Sequence, residues 1–169
     1  VAVSSAAQRA IASLRRKGLV QVGAFTPSDA AHVLGLQNNW NAEGARLAAR
    51  LLVRFRDMRA ADDQRTEEFC REVWSETVAK TCRVILDTAF GQSFAGHPLV
   101  DAVCSGAGAL GLAKVSLSPS LPIIAVGGPV RVFYGEVGKR LDCEIVYPQY
   151  FDVANAVGAA IAQVSGEVD

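Results

Sequence analysis

The stretch PIIAVGGPVRVFYGEVGKRLDCEIVYPQYFDVANAVGAAIA, residues 122–162, decides the fold. Its first apolar run, PIIAVGG, predicts a buried strand that ends in a glycine turn. PVRVFYGEVGKRL reads as a helix with Pro129 near its first position, where the missing N–H of proline is harmless. CEIVYP supplies a second strand, and YFDVANAVGAAIAQV a last helix. Strand, helix, strand, helix is the signature of an α/β layer. The last helix is thin on one side, because Ala154, Ala156, Gly158, Ala159, Ala160 and Ala162 carry almost no bulk. Gly158 alone costs about 1 kcal/mol relative to alanine. The expectation is that another backbone, a sheet or a ligand comes close to this helix.

Upstream the pattern is helical. SSAAQRAIASLRRK (4–17) has Ser at its start and Gly18 at its stop. LVQVGAF (19–25) predicts a strand or an extended link. In TPSDAAHVLG (26–35), Thr26 is a good N-cap, Pro27 fits the first helical position, Asp29 sits near the positive helix end and Gly35 ends the helix. NAEGARLAARLLVRFRDMRA (41–60) predicts an amphipathic helix with Ala45, Leu47, Ala48, Leu51, Leu52 and Phe55 on its apolar stripe. Residues 63–90 continue in that style, through Phe69, Val73, Trp74, Thr77, Val78, Thr81, Val84, Ile85 and Ala89, with Cys70 and Cys82 as core thiols beside the stripe. Residues 98–121 are rich in Gly and Ser, with short apolar pieces. The expected organisation is a helical subdomain over 1–97 followed by an α/β part over 98–169, with no internal repeat.

The 169 residues are half apolar and 20% charged, a globular balance. Basic and acidic residues number 17 each, so no excess charge argues for a nucleic acid or an anionic membrane as partner. The apolar runs fall short of the ~18 residues that a spanning helix needs. No signal-peptide pattern opens the chain. The four cysteines, Cys70, Cys82, Cys104 and Cys143, form no CxxC pair. They are expected to be reduced thiols of a cytoplasmic protein. The start at Val1 and the stop at SGEVD, just after a helix, suggest a piece of a longer protein.

Several motifs compete for a functional reading. GAGALG (106–111) matches GxGxxG by letter. A dinucleotide site also needs a preceding strand, a full following helix and an acid about 20 residues on. Pro119 and Pro122 interrupt the following segment and IIAVGGPVR holds no carboxylate, so a glycine loop is expected instead. LDTAFGQ (86–92) reads as a helix terminus with Gly91 at C′. His32 and His97 belong to no zinc spacing, and no metal site is expected. Asp29 and His32 lie three apart on one short helix and share a face. They are either a capping carboxylate with a half-buried histidine, or a polar pair facing a substrate or a metal held elsewhere. IIAVGGPV (123–130) is the better candidate: an apolar strand ending in Gly-Gly lets a planar ligand or a phosphate reach the backbone, and Pro129 opens a helix whose amides carry partial positive charge.

Four segments in order, GAFTPSDAAHVLG (23–35), NNWNAEGARLAAR (38–50), PIIAVGGPV (122–130) and VYPQYFDVANAVGAAIA (146–162), carry a resemblance. Over roughly residues 10 to 164 the chain resembles the hydantoinase/oxoprolinase family, in the part of its A-type subunit after the central catalytic core. The resemblance implies an actin/Hsp70-like (ribonuclease H-like) ATPase lobe. Gly127, Gly128 and Pro129 would then contact the adenosine of ATP. Ala154, Ala156, Gly158 and Ala159 would pack at the hinge between two lobes, with Asp152 and Asn155 on the polar side of that helix. It further implies that the full-length protein uses ATP with Mg²⁺ to activate a cyclic amide, a hydantoin or 5-oxoproline, for hydrolysis, and pairs with a B-type subunit. Relatives carboxylate ketones. The phosphate loops are expected upstream of Val1, so no catalytic residue is assigned here, and the chain by itself is expected to lack ATPase activity. Apolar surface left open on a partial lobe would favour self-association. The competing expectation is a non-catalytic assembly module with residues 41–90 as its interface.

Overall fold

A computed structural model describes residues 5–21, 23–57 and 62–162. Ser4, Val22, residues 58–60 and the end of the last helix at 163–164, all included in expected elements, lie outside the described residues. The chain divides into two compact units, Val1–Arg71 and Glu72–Asp169.

The first unit is helical. Helix α1 (Ser5–Arg16) has no buried residue and stops at Gly18. The described residues of 19–25 form a link and no strand. Helix α2 (Pro27–Val33) starts as expected: Asp29 N–H donates to Thr26 Oγ1 at 3.3 Å, and Thr26 N–H donates to Asp29 Oδ2 at 2.7 Å, a reciprocal capping box. Helix α3 (Ala42–Asp57) packs on α2. Its buried row is Ala45, Ala49 and Val53, four residues apart. The leucine-rich stripe read from the sequence is largely exposed, with Leu47, Leu51 and Phe55 each more than half open. The cause is packing distance. Ala30 and Ala31 of α2 are fully buried, and small side chains there and along Ala45 and Ala49 let two helices approach closely where leucines would not fit.

Helix α4 (Asp63–Phe90) runs through both units. Thr66 and Cys70 are fully buried in the first; Val78, Cys82 and Leu86 are buried in the second. Both expected core thiols are therefore inside. Val84, expected on the stripe, is 64% exposed, and Leu86 takes the core position instead. Gly91 closes α4 with a left-handed φ of 68°, and Gln92 N–H donates back to the Asp87 carbonyl, as a helix terminus requires.

In the second unit, helix α5 (Pro98–Cys104) was not legible beforehand. Strands β1 (Ala109–Leu110) and β2 (Ala113–Lys114) make a small antiparallel hairpin. Strand β3 (Ile123–Ile124), helix α6 (Val130–Arg140) and strand β4 (Ile145–Val146) form a β-α-β unit in which β3 pairs parallel to β4. A 3-10 turn (Phe151–Val153) leads into helix α7 (Ala154–Ile161). The α/β order expected over 122–162 is present, in a molecule that is mostly helix. One core joins Val78, Cys82 and Leu86 of α4, Val103 and Cys104 of α5, Phe133 and Val137 of α6, and Leu141. Arg140, its side chain only 7% exposed, pins three helices together. It donates to the Cys104 carbonyl at 2.7 Å, to Ser75 Oγ at 3.2 Å and to Glu136 at 3.3 Å.

Two expectations need correction. Strand β3 is half-buried, not buried: Ala125 just beyond it is 1% exposed, whereas Ile124 and Val126 are 67% and 52% exposed. Successive side chains alternate faces, and only the face toward α6 is covered. Helix α7 has no buried residue, and a Cβ added at Gly158 would meet no atom within 4 Å. Ala154 is half-buried, while Ala156, Gly158, Ala159, Ala160 and Ala162 are exposed.

Candidate functional site

The glycine bend follows directly from β3. Ala125 N–H donates to the Val146 carbonyl at 2.9 Å, which holds the end of β3 against β4. Gly127 then turns the chain with φ of 117°, a value that side-chain-bearing residues rarely adopt. Its N–H donates to the Phe151 carbonyl at 2.6 Å. That bond ties the bend to the turn that starts α7. Pro129 is the N-cap of α6, with no side chain capping the helix start. A Cβ on Gly128 would project into open space. The bend thus lies at the carboxyl end of a parallel strand and at the amino end of an 11-residue helix. This is where open α/β sheets bind ligands.

Three side chains beside the bend were not singled out by sequence. The Arg131 guanidinium stands 4.7 Å from the Phe151 ring centre and 5.6 Å from that of Tyr147. The two rings meet edge to face at 5.8 Å. Arg131 is exposed, and the rings beneath it are half-buried. A guanidinium over an aromatic ring is attracted by the ring's negative face. Asp152 and Asn155 are exposed in the same unit, at the turn and on the first turn of α7.

The second candidate set, Asp29 and His32, lies in the first unit. Both line one cavity of 550 Å³, together with Thr26, Trp40, Asn41 and Ala45. His32 is 5% exposed. The Trp40 N–H donates to His32 Nε2 at 3.1 Å, and Asn39 Oδ1 also lies 3.1 Å from that nitrogen; Nδ1 lies 2.7 Å from the Ser28 carbonyl and 3.0 Å from Gln37 Nε2. Gln37 Nε2 also donates to the Ser28 carbonyl at 3.0 Å. His32 fastens the loop after α2 to the helix, and both ring nitrogens are engaged. Asp29 is half-buried, and its Oδ2 accepts from Thr26 N–H and Thr26 Oγ1. The structure brings Asp29 and His32 to one cavity in one unit, and Gly127, Gly128 and Pro129 together with Asp152 and Asn155 into the other.

GAGALG is neither a phosphate loop nor a free loop. Gly106 caps α5, its N–H donating to the Val103 carbonyl, and the rest builds the β1–β2 hairpin. No strand precedes it and no helix follows it directly. The cysteines are free thiols whose protons are held tightly. Burial pushes Cys70 up to about 11 and Cys82 up to about 12, and raises Cys104 and Cys143 as well. Such thiols are poor nucleophiles. Among the described residues no three His, Cys, Asp or Glu side chains are grouped to hold a metal ion, and no helix is long and apolar enough to cross a membrane. No family model matches the chain, and no curated protein or solved structure matches it either.

Proposed function

We propose that the second unit supplies the adenosine side of an ATP cleft in an ATP-dependent cyclic amidohydrolase of the hydantoin or 5-oxoproline type. The observation that carries this reading is the Gly127 N–H bond to the Phe151 carbonyl, which joins the diglycine bend, at the carboxyl end of a parallel strand, to the turn that leads into the slim last helix. The residues fit a nucleoside: Gly128 leaves the backbone bare, and Arg131 stands over Phe151, whose carbonyl accepts from the bend. Among the described residues no group of three His, Cys, Asp or Glu side chains is assembled to hold a metal ion, and Asp152 is the carboxylate of this set. The metal and phosphates would be held by other parts of the protein, so the chain alone would not turn over ATP. Homo-oligomerisation, a B-type partner subunit and a cytoplasmic location belong to this reading, as does the bicarbonate-dependent ketone carboxylase as its near variant.

Equilibrium binding of ATP or ADP, compared with Gly128→Trp, tests it. The open space at Gly128 lets the indole fold outward without disturbing the core, and there it blocks the bend. Nucleotide binding should drop at least ~10-fold. Equal binding by the variant ends the adenosine assignment. A second reading, a non-catalytic assembly module, has its own support in the exposed Leu47, Leu51 and Phe55 of α3, an apolar row suited to a partner. Sedimentation that shows a stable dimer lost on Leu51→Glu, with no nucleotide bound, would favour it.

A further inference from the structure

The cavity of the first unit has a chemistry of its own. We propose that it binds a small organic cation, a primary amine or guanidinium on a short apolar body. The cavity measures 550 Å³, within the range of small-molecule sites. Among the described residues Asp29 is the one charged side chain on its wall, and no Lys or Arg lines it. Trp40 is 77% exposed, yet its backbone is fixed by the N–H bond to His32. An indole anchored at its root and uncovered on its face is the strongest of the aromatic surfaces for a cation.

The same wall argues against an anion. Two of the amides that open α2 and α3 are already answered from within the chain. Thr26 Oγ1 takes the Asp29 amide, and Asn41 Oδ1 takes the Gly44 amide at 2.9 Å. Both ring nitrogens of His32 are engaged by Ser28, Gln37, Asn39 and Trp40. What remains is a carboxylate that can only accept, an aromatic face, and the methyl of Ala45 as an apolar floor. A donor-bearing positive head beside Asp29, with its apolar body against Trp40, uses each of these groups. This site is separate from the glycine bend, and its fate is independent of the nucleotide reading.

The test uses the whole chain and benzylammonium as probe, with benzyl alcohol as the neutral match of the same shape. Titration is followed by calorimetry and by tryptophan fluorescence, and circular dichroism checks each variant. Benzylammonium should saturate one site and benzyl alcohol should bind at least ~10-fold more weakly. Asp29→Asn, whose amide oxygen still caps Thr26, should weaken the cation ~10-fold, and Trp40→Ala about 3-fold. Should Asp29→Asn lose its helix content, Trp40→Ala carries the test alone, because its side chain is open to solvent and its backbone bond to His32 remains. Equal binding of alcohol and amine overturns the proposal. So does benzylammonium affinity unchanged in Trp40→Ala, or the absence of saturation.

Discussion

Two glycine-rich stretches of the second unit invite opposite readings. GAGALG satisfies a nucleotide fingerprint by spacing, while VGGPV satisfies none. Their surroundings in the structure differ. GAGALG leaves a helix and enters a hairpin, so its glycines serve a cap and a tight turn. VGGPV leaves a parallel strand and enters a helix, and is bonded to the start of a second one. The spacing of glycines says only that the backbone bends. What precedes and follows the bend decides whether amides and open space face a ligand.

The sharpest way to break this contrast is to disturb the close packing that builds the strand–helix context. Gly138 of α6 is buried, and a Cβ there would lie 2.7 Å from Ile145 Cγ1 and 3.0 Å from the Cys143 carbonyl. Helix α6 can cover β4 only with no side chain at that point. Gly138→Val should destabilise the protein by about 3 kcal/mol, read from the urea midpoint. A midpoint unchanged by Gly138→Val would mean that α6 does not sit on β4 as described. Next in size is the bend itself. Gly127→Ala places a side chain at φ of 117° and should cost about 2 kcal/mol. The contrasting change is Gly111→Asn in the hairpin turn, where φ is 59°, a value asparagine adopts readily. It should cost less than about 0.5 kcal/mol. Equal costs at the two positions would erase the distinction between a strained bend and an ordinary turn.

The contrast also explains what was legible in the sequence. Helix α2 could be read residue by residue because its signals are local: Thr26, Pro27, Asp29 and Gly35 act on their own neighbours. The β3–α6–β4 order was legible because apolar runs alternate with a proline-started helix. Helix α5 was not, since seven residues show no periodicity; Pro98 at its first turn and Gly106 past its end were the only signs. The buried face of α3 was misread because hydrophobicity points to leucine, whereas the space against α2 admits alanine. Arg131 could not be found from sequence, because its partners Tyr147 and Phe151 lie across the whole β-α-β crossover. For the same reason the Asp29–His32 pair was seen, while the Trp40 amide that engages His32 was not.

A pH-dependent effect concerns the core that carries both glycine stretches. Cys104 ends α5 just before GAGALG, Cys143 lies just before β4, and both pack with the buried Cys82. Burial disfavours the thiolate, so the folded state holds these protons longer than the unfolded chain does. Burial pushes the Cys82 thiol up from 9.0 to about 12 and that of Cys70, in the first unit, to about 11. The sign follows. Below pH 9 both states are protonated and the thiols' contribution to stability is fully present. As pH rises from 9 toward 11 for Cys70, and toward 12 for Cys82, the unfolded chain loses its protons first and stability falls. Each thiol should cost about 1 kcal/mol between pH 9 and pH 10. Unfolding curves at pH 8, 9 and 10 should show this decline, and Cys82→Ala should make it shallower. If the slope stays the same in Cys82→Ala and in Cys70→Ala, other groups such as tyrosines and lysines cause the decline, and the packing described around α4 is looser than its buried thiols imply.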